Sequence, residues 1–108
     1  MPTFLPVIPV AQIPNGRGIS RQVAGWTIAF FQRDGAVYAI SAECPHRGGP
    51  LAEGYFDCDR VYCPLHGWEF DLKTGACLSN PEHSVRSFPV RIRAGQVEIQ
   101  IETNAPDS

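Results

Sequence analysis

The chain of 108 residues predicts a small all-β domain. Ten glycines and ten prolines are scattered along it, which favours short strands and frequent turns over helices or a disordered tract. Helical periodicity is poor throughout, whereas apolar runs bounded by turn residues recur. One Asp-Gly pair, the strongest short hairpin signal, sits between two such runs.

Taken in order, Met1 to Val10 is interrupted by Pro2, Pro6 and Pro9 and has no basic stretch, so it is not a secretory signal. Arg17 to Val23, after the Pro14-Asn15-Gly16 turn, is a weak strand candidate. Trp26 to Phe31 and Ala36 to Ile40 are apolar strands joined by Arg33-Asp34-Gly35. Arg60 to Tyr62 and Trp68 to Asp71 are short strands, and Lys73-Thr74-Gly75 turns the chain toward Cys77. Val90 to Ile92 and Gln96 to Ile101 form a second hairpin through Arg93-Ala94-Gly95. In the last strand Val97, Ile99 and Ile101 face one way, the period-two pattern of a half-buried strand. Trp26, Phe30, Phe31 and Tyr38 are core candidates. Thr103 to Ser108 is a polar tail expected to fray.

The length predicts a single domain over 1–108 with a small core. A hydrophobic content of 44% is ordinary for a globular protein. The net charge of −2 argues against a nucleic-acid partner. Lys73 is the sole lysine beside eight arginines, which reads as compositional bias. No apolar run approaches the roughly 20 residues that cross a bilayer, so no membrane partner is expected.

Cys44-Pro45-His46 and Cys63-Pro64-Leu65-His66 carry the chemistry. Sixteen residues separate His46 from Cys63, giving C-x-H-x16-C-x2-H. Each segment offers one thiolate and one imidazole, which suits a two-iron cluster whose irons differ in ligation. Neutral imidazoles in place of two anionic thiolates make such a site easier to reduce. The same donors are chemically able to form a mononuclear Cys2His2 zinc site in a structural module, although such sites usually pair like ligands in each knuckle. Cys58 and Cys77 have no partner at ligand spacing. They read as small buried residues in a reducing compartment, with a mutual disulfide left open.

From about Glu43 to Pro81, through CPHRGGPL, CPLHGWEFDLKTG and SNP, the chain resembles the Rieske [2Fe-2S] family. The resemblance implies an antiparallel β-sandwich with cluster-binding loops, about 43–70, inserted at one end. It implies one [2Fe-2S] cluster, with Cys44 and Cys63 on one iron and His46 and His66 on the other, the imidazole edges exposed. Potential should then fall with pH only where the oxidised histidines deprotonate. Arg47, Gly48, Gly49, Leu65, Gly67, Trp68 and Pro81 are the implied surroundings of the cluster. Glycine permits the tight turns and close backbone approach that a wrapping loop needs. Arg47 reads equally as a docking residue, a local positive charge or a solvated side chain. Ser79-Asn80-Pro81 is similar to the proline-containing third loop that covers the cluster. His83 lies in a polar stretch and reads as solvated, with the cluster rim as the alternative.

Departures from the high-potential branch of that family are informative. Gly49 and Leu65 stand where that branch carries an extra cysteine pair, so that disulfide is missing. Trp68 and Phe70 stand where it carries a serine and a tyrosine whose hydroxyls bond cluster sulfurs. Fewer donors stabilise the reduced state less, which implies a potential at the low end of the Rieske range, about −150 mV or slightly above. The chain shows neither the iron site of an oxygenase nor a dinucleotide fingerprint, so the expectation is a cytoplasmic electron carrier and not an enzyme. A flavin-dependent reductase is the expected donor. A terminal oxygenase, or the large subunit of an assimilatory nitrite reductase, is the expected acceptor. The ferredoxin component of a ring-hydroxylating dioxygenase is the leading reading and the small nitrite reductase subunit the alternative.

Overall fold

The computed structural model describes residues 3–43, 50–57, 59–65 and 67–101. Ten strands follow one another: β1 (Thr3–Pro9), β2 (Gly18–Val23), β3 (Trp26–Arg33), β4 (Ala36–Ser41), β5 (Tyr55–Asp57), β6 (Arg60–Tyr62), β7 (Glu69–Asp71), β8 (Ser87–Phe88), β9 (Val90–Arg93) and β10 (Gln96–Ile101). They form three antiparallel sheets ordered β1-β10-β9, β2-β3-β4-β8 and β5-β6-β7. Among the described residues there is no α-helix, and no helix is long and apolar enough to cross a membrane.

The β2-β3-β4-β8 sheet is the middle layer. On one side Ile28, Phe30, Ala39 and Phe88 share a core with Ile8, Val97, Ile99 and Ile101 of the β1-β10-β9 sheet. On the other side Ala29, Phe31 and Ile40 share a core with Phe56, Val61 and Phe70 of the β5-β6-β7 sheet. Successive side chains of a strand point to opposite faces, so a strand covered on both sides must be apolar at every position. That is the physical origin of the unbroken Ile28-Ala29-Phe30-Phe31 run, whose four residues are fully buried. Each buried phenylalanine contributes about 1.5–3 kcal/mol relative to exposure. Of the four expected core aromatics, Phe30 and Phe31 are central. Trp26 and Tyr38 are half-buried and pack against the cores from outside.

The β3–β4 hairpin turns at Asp34-Gly35, with φ of 51° and 89°, and the β9–β10 hairpin at Ala94-Gly95, with 53° and 77°. Positive φ at both central residues matches the twist of the flanking strands. β1 was not expected from the proline-rich N-terminus. It is an edge strand, where Pro6 opposite Glu98 costs no interior ladder bond, and a bulge follows between Pro6 and Ile8. The insertion between β4 and β8 is more than loops. It carries its own sheet, and that sheet holds the candidate site. The polar tail from residue 103 lies outside the described residues.

Candidate metal centre

Of the four predicted ligands, Cys63 falls among the described residues. Cys44, His46 and His66 lie outside them, as do Arg47, Gly48, Gly49 and Cys58. Among the described residues no group of three or more His, Cys, Asp or Glu is assembled.

The second ligand segment is the tip of the β6–β7 hairpin. Tyr62 pairs with Glu69, and one step further the Cys63 N–H donates to the Trp68 carbonyl at 2.8 Å. The Gly67 N–H closes the turn on the Cys63 carbonyl, also at 2.8 Å. Gly67 has φ +70°, a left-handed conformation that β-carbon-bearing residues adopt at a cost. A methyl group there would meet no described atom within contact distance, so the turn geometry is itself sufficient to call for a glycine. Alternation along β6 turns Val61 and Cys63 inward. Cys63 is buried in the same core as Phe70 and Leu72 and its thiol is free of any disulfide. Leu65 sits exposed at the hairpin tip.

The first ligand segment springs from β4. Glu43 and Pro50 form an antiparallel bridge across its base, and the Leu51 N–H donates to the Ala42 carbonyl at 2.8 Å. Ala42, Leu51 and Ala52 belong to the core that contains Cys63. The base of the first segment and the root of the second are therefore set in one apolar cluster.

The third predicted loop lies beside the second. The Leu78 N–H donates to the Glu69 carbonyl at 2.7 Å, and the Glu69 N–H donates to Ser79 Oγ at 3.0 Å. Within the loop the Asn80 N–H donates to Cys77 Sγ, Asn80 Oδ1 accepts from the Glu82 N–H, and Ser84 Oγ accepts from the Cys77 N–H. Pro81 opens a single 3-10 turn, Pro81–His83, and is exposed. The His83 ring rests on the half-buried Trp68 indole at 5.4 Å between centroids. Sequence reasoning left His83 between solvent and the cluster rim. It is exposed, yet its ring covers the residue next to Gly67. Cys77 is buried with a free thiol, the small buried residue that its lack of a partner at ligand spacing implies, and it makes no disulfide.

The outer side of the hairpin is charged. Glu69 pairs with Arg60 and raises the Arg60 guanidinium above its ordinary value through their hydrogen bond. Desolvation first, and the Glu69 carboxylate second, raise the Tyr62 phenol above 10.0.

This arrangement has close parallels among known proteins. The Rieske [2Fe-2S] domain family matches residues 3–89. The 3-phenylpropionate/cinnamic acid dioxygenase ferredoxin subunit of Escherichia coli (strain K12) is 35% identical over 100 residues, covering 91% of this chain and 93% of that protein. The structure of the ferredoxin of carbazole 1,9a-dioxygenase from Nocardioides aromaticivorans IC177 superposes with a TM-score of 0.83 at 28% identity, covering 93% and 99% of the two chains. A chain assigned as an NADH-dependent nitrite reductase small subunit from Mycobacterium tuberculosis superposes with a TM-score of 0.85 at 24% identity, covering 94% and 97%, a likeness of fold alone.

The chain belongs to the Rieske [2Fe-2S] domain family. The family implies one Rieske-type [2Fe-2S] cluster, and two of the relatives named above are ferredoxin components of dioxygenase systems. Family membership displaces the zinc alternative.

Proposed function

We propose that this chain is the ferredoxin component of a ring-hydroxylating dioxygenase system. It accepts single electrons from a flavin-dependent reductase and delivers them to a terminal oxygenase in the cytoplasm. The observation that carries this reading is the 35% identity to a dioxygenase ferredoxin subunit across 91% of the chain. The nitrite reductase reading stands second, because the TM-score of 0.85 behind it comes at 24% identity and speaks for fold.

In this reading residues 1–108 are one domain. Cys44 and Cys63 hold one iron and His46 and His66 the other. When bound, the cluster supplies one reversible electron. The buried, free thiol of Cys63 supports its assignment, since a thiolate held away from water is the ligand an inner iron requires. Gly67 gives the second loop its turn. Gly48 and Gly49 give the first loop room to approach the cluster, and Arg47 adds a positive charge beside it. Leu65, Trp68 and Pro81 flank it, the half-buried Trp68 indole being the most enclosed of the three. Neither Trp68 nor Phe70 offers a hydroxyl to the cluster, which supports a potential at the low end of the Rieske range, about −150 mV or slightly above.

The test has two stages. Dithionite-reduced protein is expected to give the rhombic EPR signal of mixed His/Cys ligation, with about two irons per chain. Zinc in place of iron, from cells grown with adequate iron, overturns the carrier reading. The protein then replaces the native ferredoxin in a purified 3-phenylpropionate dioxygenase assay. NADH-dependent product formation supports the proposal, and an electron supply that works only in nitrite reduction moves the protein to the second reading.

A further inference from the structure

We propose that the outer face of the β5-β6-β7 sheet is a docking surface for a redox partner protein that presents basic side chains around an apolar patch. The proposal rests on the electron-carrier reading. The strand register sets Tyr55, Tyr62 and Glu69 in one row, and the Leu78 N–H bonded to the Glu69 carbonyl extends that row by one residue. Directly paired residues share a face. The row is therefore the reverse side of Phe56, Val61, Phe70 and Cys77, which fill the core.

Tyr55 is 68% exposed, Leu78 45% and, at the tip of the same hairpin, Leu65 55%. Among the described residues the other large apolar side chain so exposed is Ile92, on β9 of a different sheet. The rings of Tyr55 and Tyr62 lie 5.9 Å apart. An exposed sheet face that gathers two tyrosines beside exposed leucines is an apolar patch of the kind that marks an interface, with the tyrosines as its anchors.

Charge selects the occupant. From Glu53 to Lys73 the chain carries five carboxylates against two cations, while the rest of the chain carries six against seven. The negative charge of the protein is thus concentrated in the segment that forms this sheet. Arg33 of β3 adds a third cation by pairing with Asp57, which leaves five carboxylates against three cations at this sheet. The pairs Arg33–Asp57, Arg60–Glu69 and Lys73–Asp59 lie at the surface and are weak, and the net field stays negative. A basic face is drawn to it, and apolar contacts then hold the complex. The row lies one residue pair below Cys63 and Trp68, so a partner seated there sits beside the second ligand loop.

The probe is horse cytochrome c, a basic protein with an exposed haem edge. Dithionite-reduced, desalted protein is mixed with it by stopped flow. One electron leaves the reduced protein and converts ferric haem to ferrous haem, with no bond made or broken. The second-order rate constant should fall as salt rises. Tyr55→Ala and Leu78→Ala should each lower it about fivefold or more, while Ile92→Ala leaves it unchanged. Glu69→Gln should flatten the salt dependence. Ferricyanide, a small anion, should oxidise Tyr55→Ala, Leu78→Ala and Ile92→Ala at the wild-type rate, which separates docking from damage to the site, and should oxidise Glu69→Gln no more slowly than wild type. Rates for Tyr55→Ala and Leu78→Ala that match Ile92→Ala overturn the surface alone, even if salt dependence persists. A wild-type protein that shows no reduced-state EPR signal overturns the carrier reading, and the surface with it.

Discussion

The Trp68 indole and the His83 imidazole lie 5.4 Å apart at a 48° tilt, although fifteen positions separate them in the chain. This contact ties the third loop to the residue that closes the second ligand hairpin. Two backbone links at Glu69 reinforce it. An aromatic pair of this kind contributes about 0.5–1.5 kcal/mol, and solvent exposure of His83 puts the value at the lower end. His83→Ala should therefore cost about 0.5 kcal/mol in urea unfolding, while His83→Phe restores it. Equal midpoints for wild type and His83→Ala would show that the loop is held by its hydrogen bonds alone.

Gly67 and Gly75 look alike in sequence and should respond differently. Both have positive φ, +70° and +80°. At Gly67 an added β-carbon meets no described atom within contact distance, so Gly67→Ala carries the left-handed strain, about 1–2 kcal/mol. Gly67→Asn should cost less. At Gly75 the added carbon runs into the carbonyl of Val85, the residue whose own N–H donates to the Gly75 carbonyl. Gly75→Ala should thus be clearly more destabilising than Gly67→Ala in denaturant titrations. A reversed order would mean that the 75–85 segment yields more readily than the ligand hairpin.

Local chemistry made part of this fold legible. Asp34-Gly35 and Ala94-Gly95 announce their hairpins because a two-residue turn has residue requirements of its own. Val97, Ile99 and Ile101 announce a one-sided strand by alternation, and all three are buried. β1 was hidden because its partner among the described strands, β10, lies some ninety residues away, and because Pro6 and Pro9 are tolerated at an edge and not in a central strand. Tyr55–Asp57 and Ser87–Phe88 are too short to carry a period. The ligand motif was readable since Cys and His at that spacing have few other uses. The Trp68–His83 contact was not, because nothing in either residue's neighbourhood in the sequence names the other.

The two-sided burial of β3 separates two kinds of damage. Phe30 and Phe31 are adjacent and both fully buried, yet they face different cores. Phe30→Ala and Phe31→Ala should each cost about 3–5 kcal/mol. Only the second opens a cavity in the core that contains Cys63. Iron content after purification should therefore fall more in Phe31→Ala than in Phe30→Ala at matched folded fraction by circular dichroism. Equal iron loss would mean that the site senses global stability and not its own layer.

Tyr62 gives the protein a defined alkaline weakness. Desolvation and the Glu69 carboxylate both favour the neutral phenol, so its folded pKa lies above 10.0. Below that value the phenol is neutral in the folded and unfolded chains alike, and its contribution to stability does not change with pH. As pH rises past 10.0 the unfolded chain ionises first, and stability declines until the folded pKa is passed. Arg60 opposes the shift but is outweighed. Glu69→Gln removes one raising influence and frees Arg60 from its partner, and both effects lower the phenol pKa. Ultraviolet absorbance titration of Tyr62→Phe against wild type identifies the signal of this tyrosine. In Glu69→Gln that signal should move to lower pH, and the alkaline loss of stability should begin earlier. A titration of Tyr62 unmoved by Glu69→Gln would assign the shift to desolvation alone.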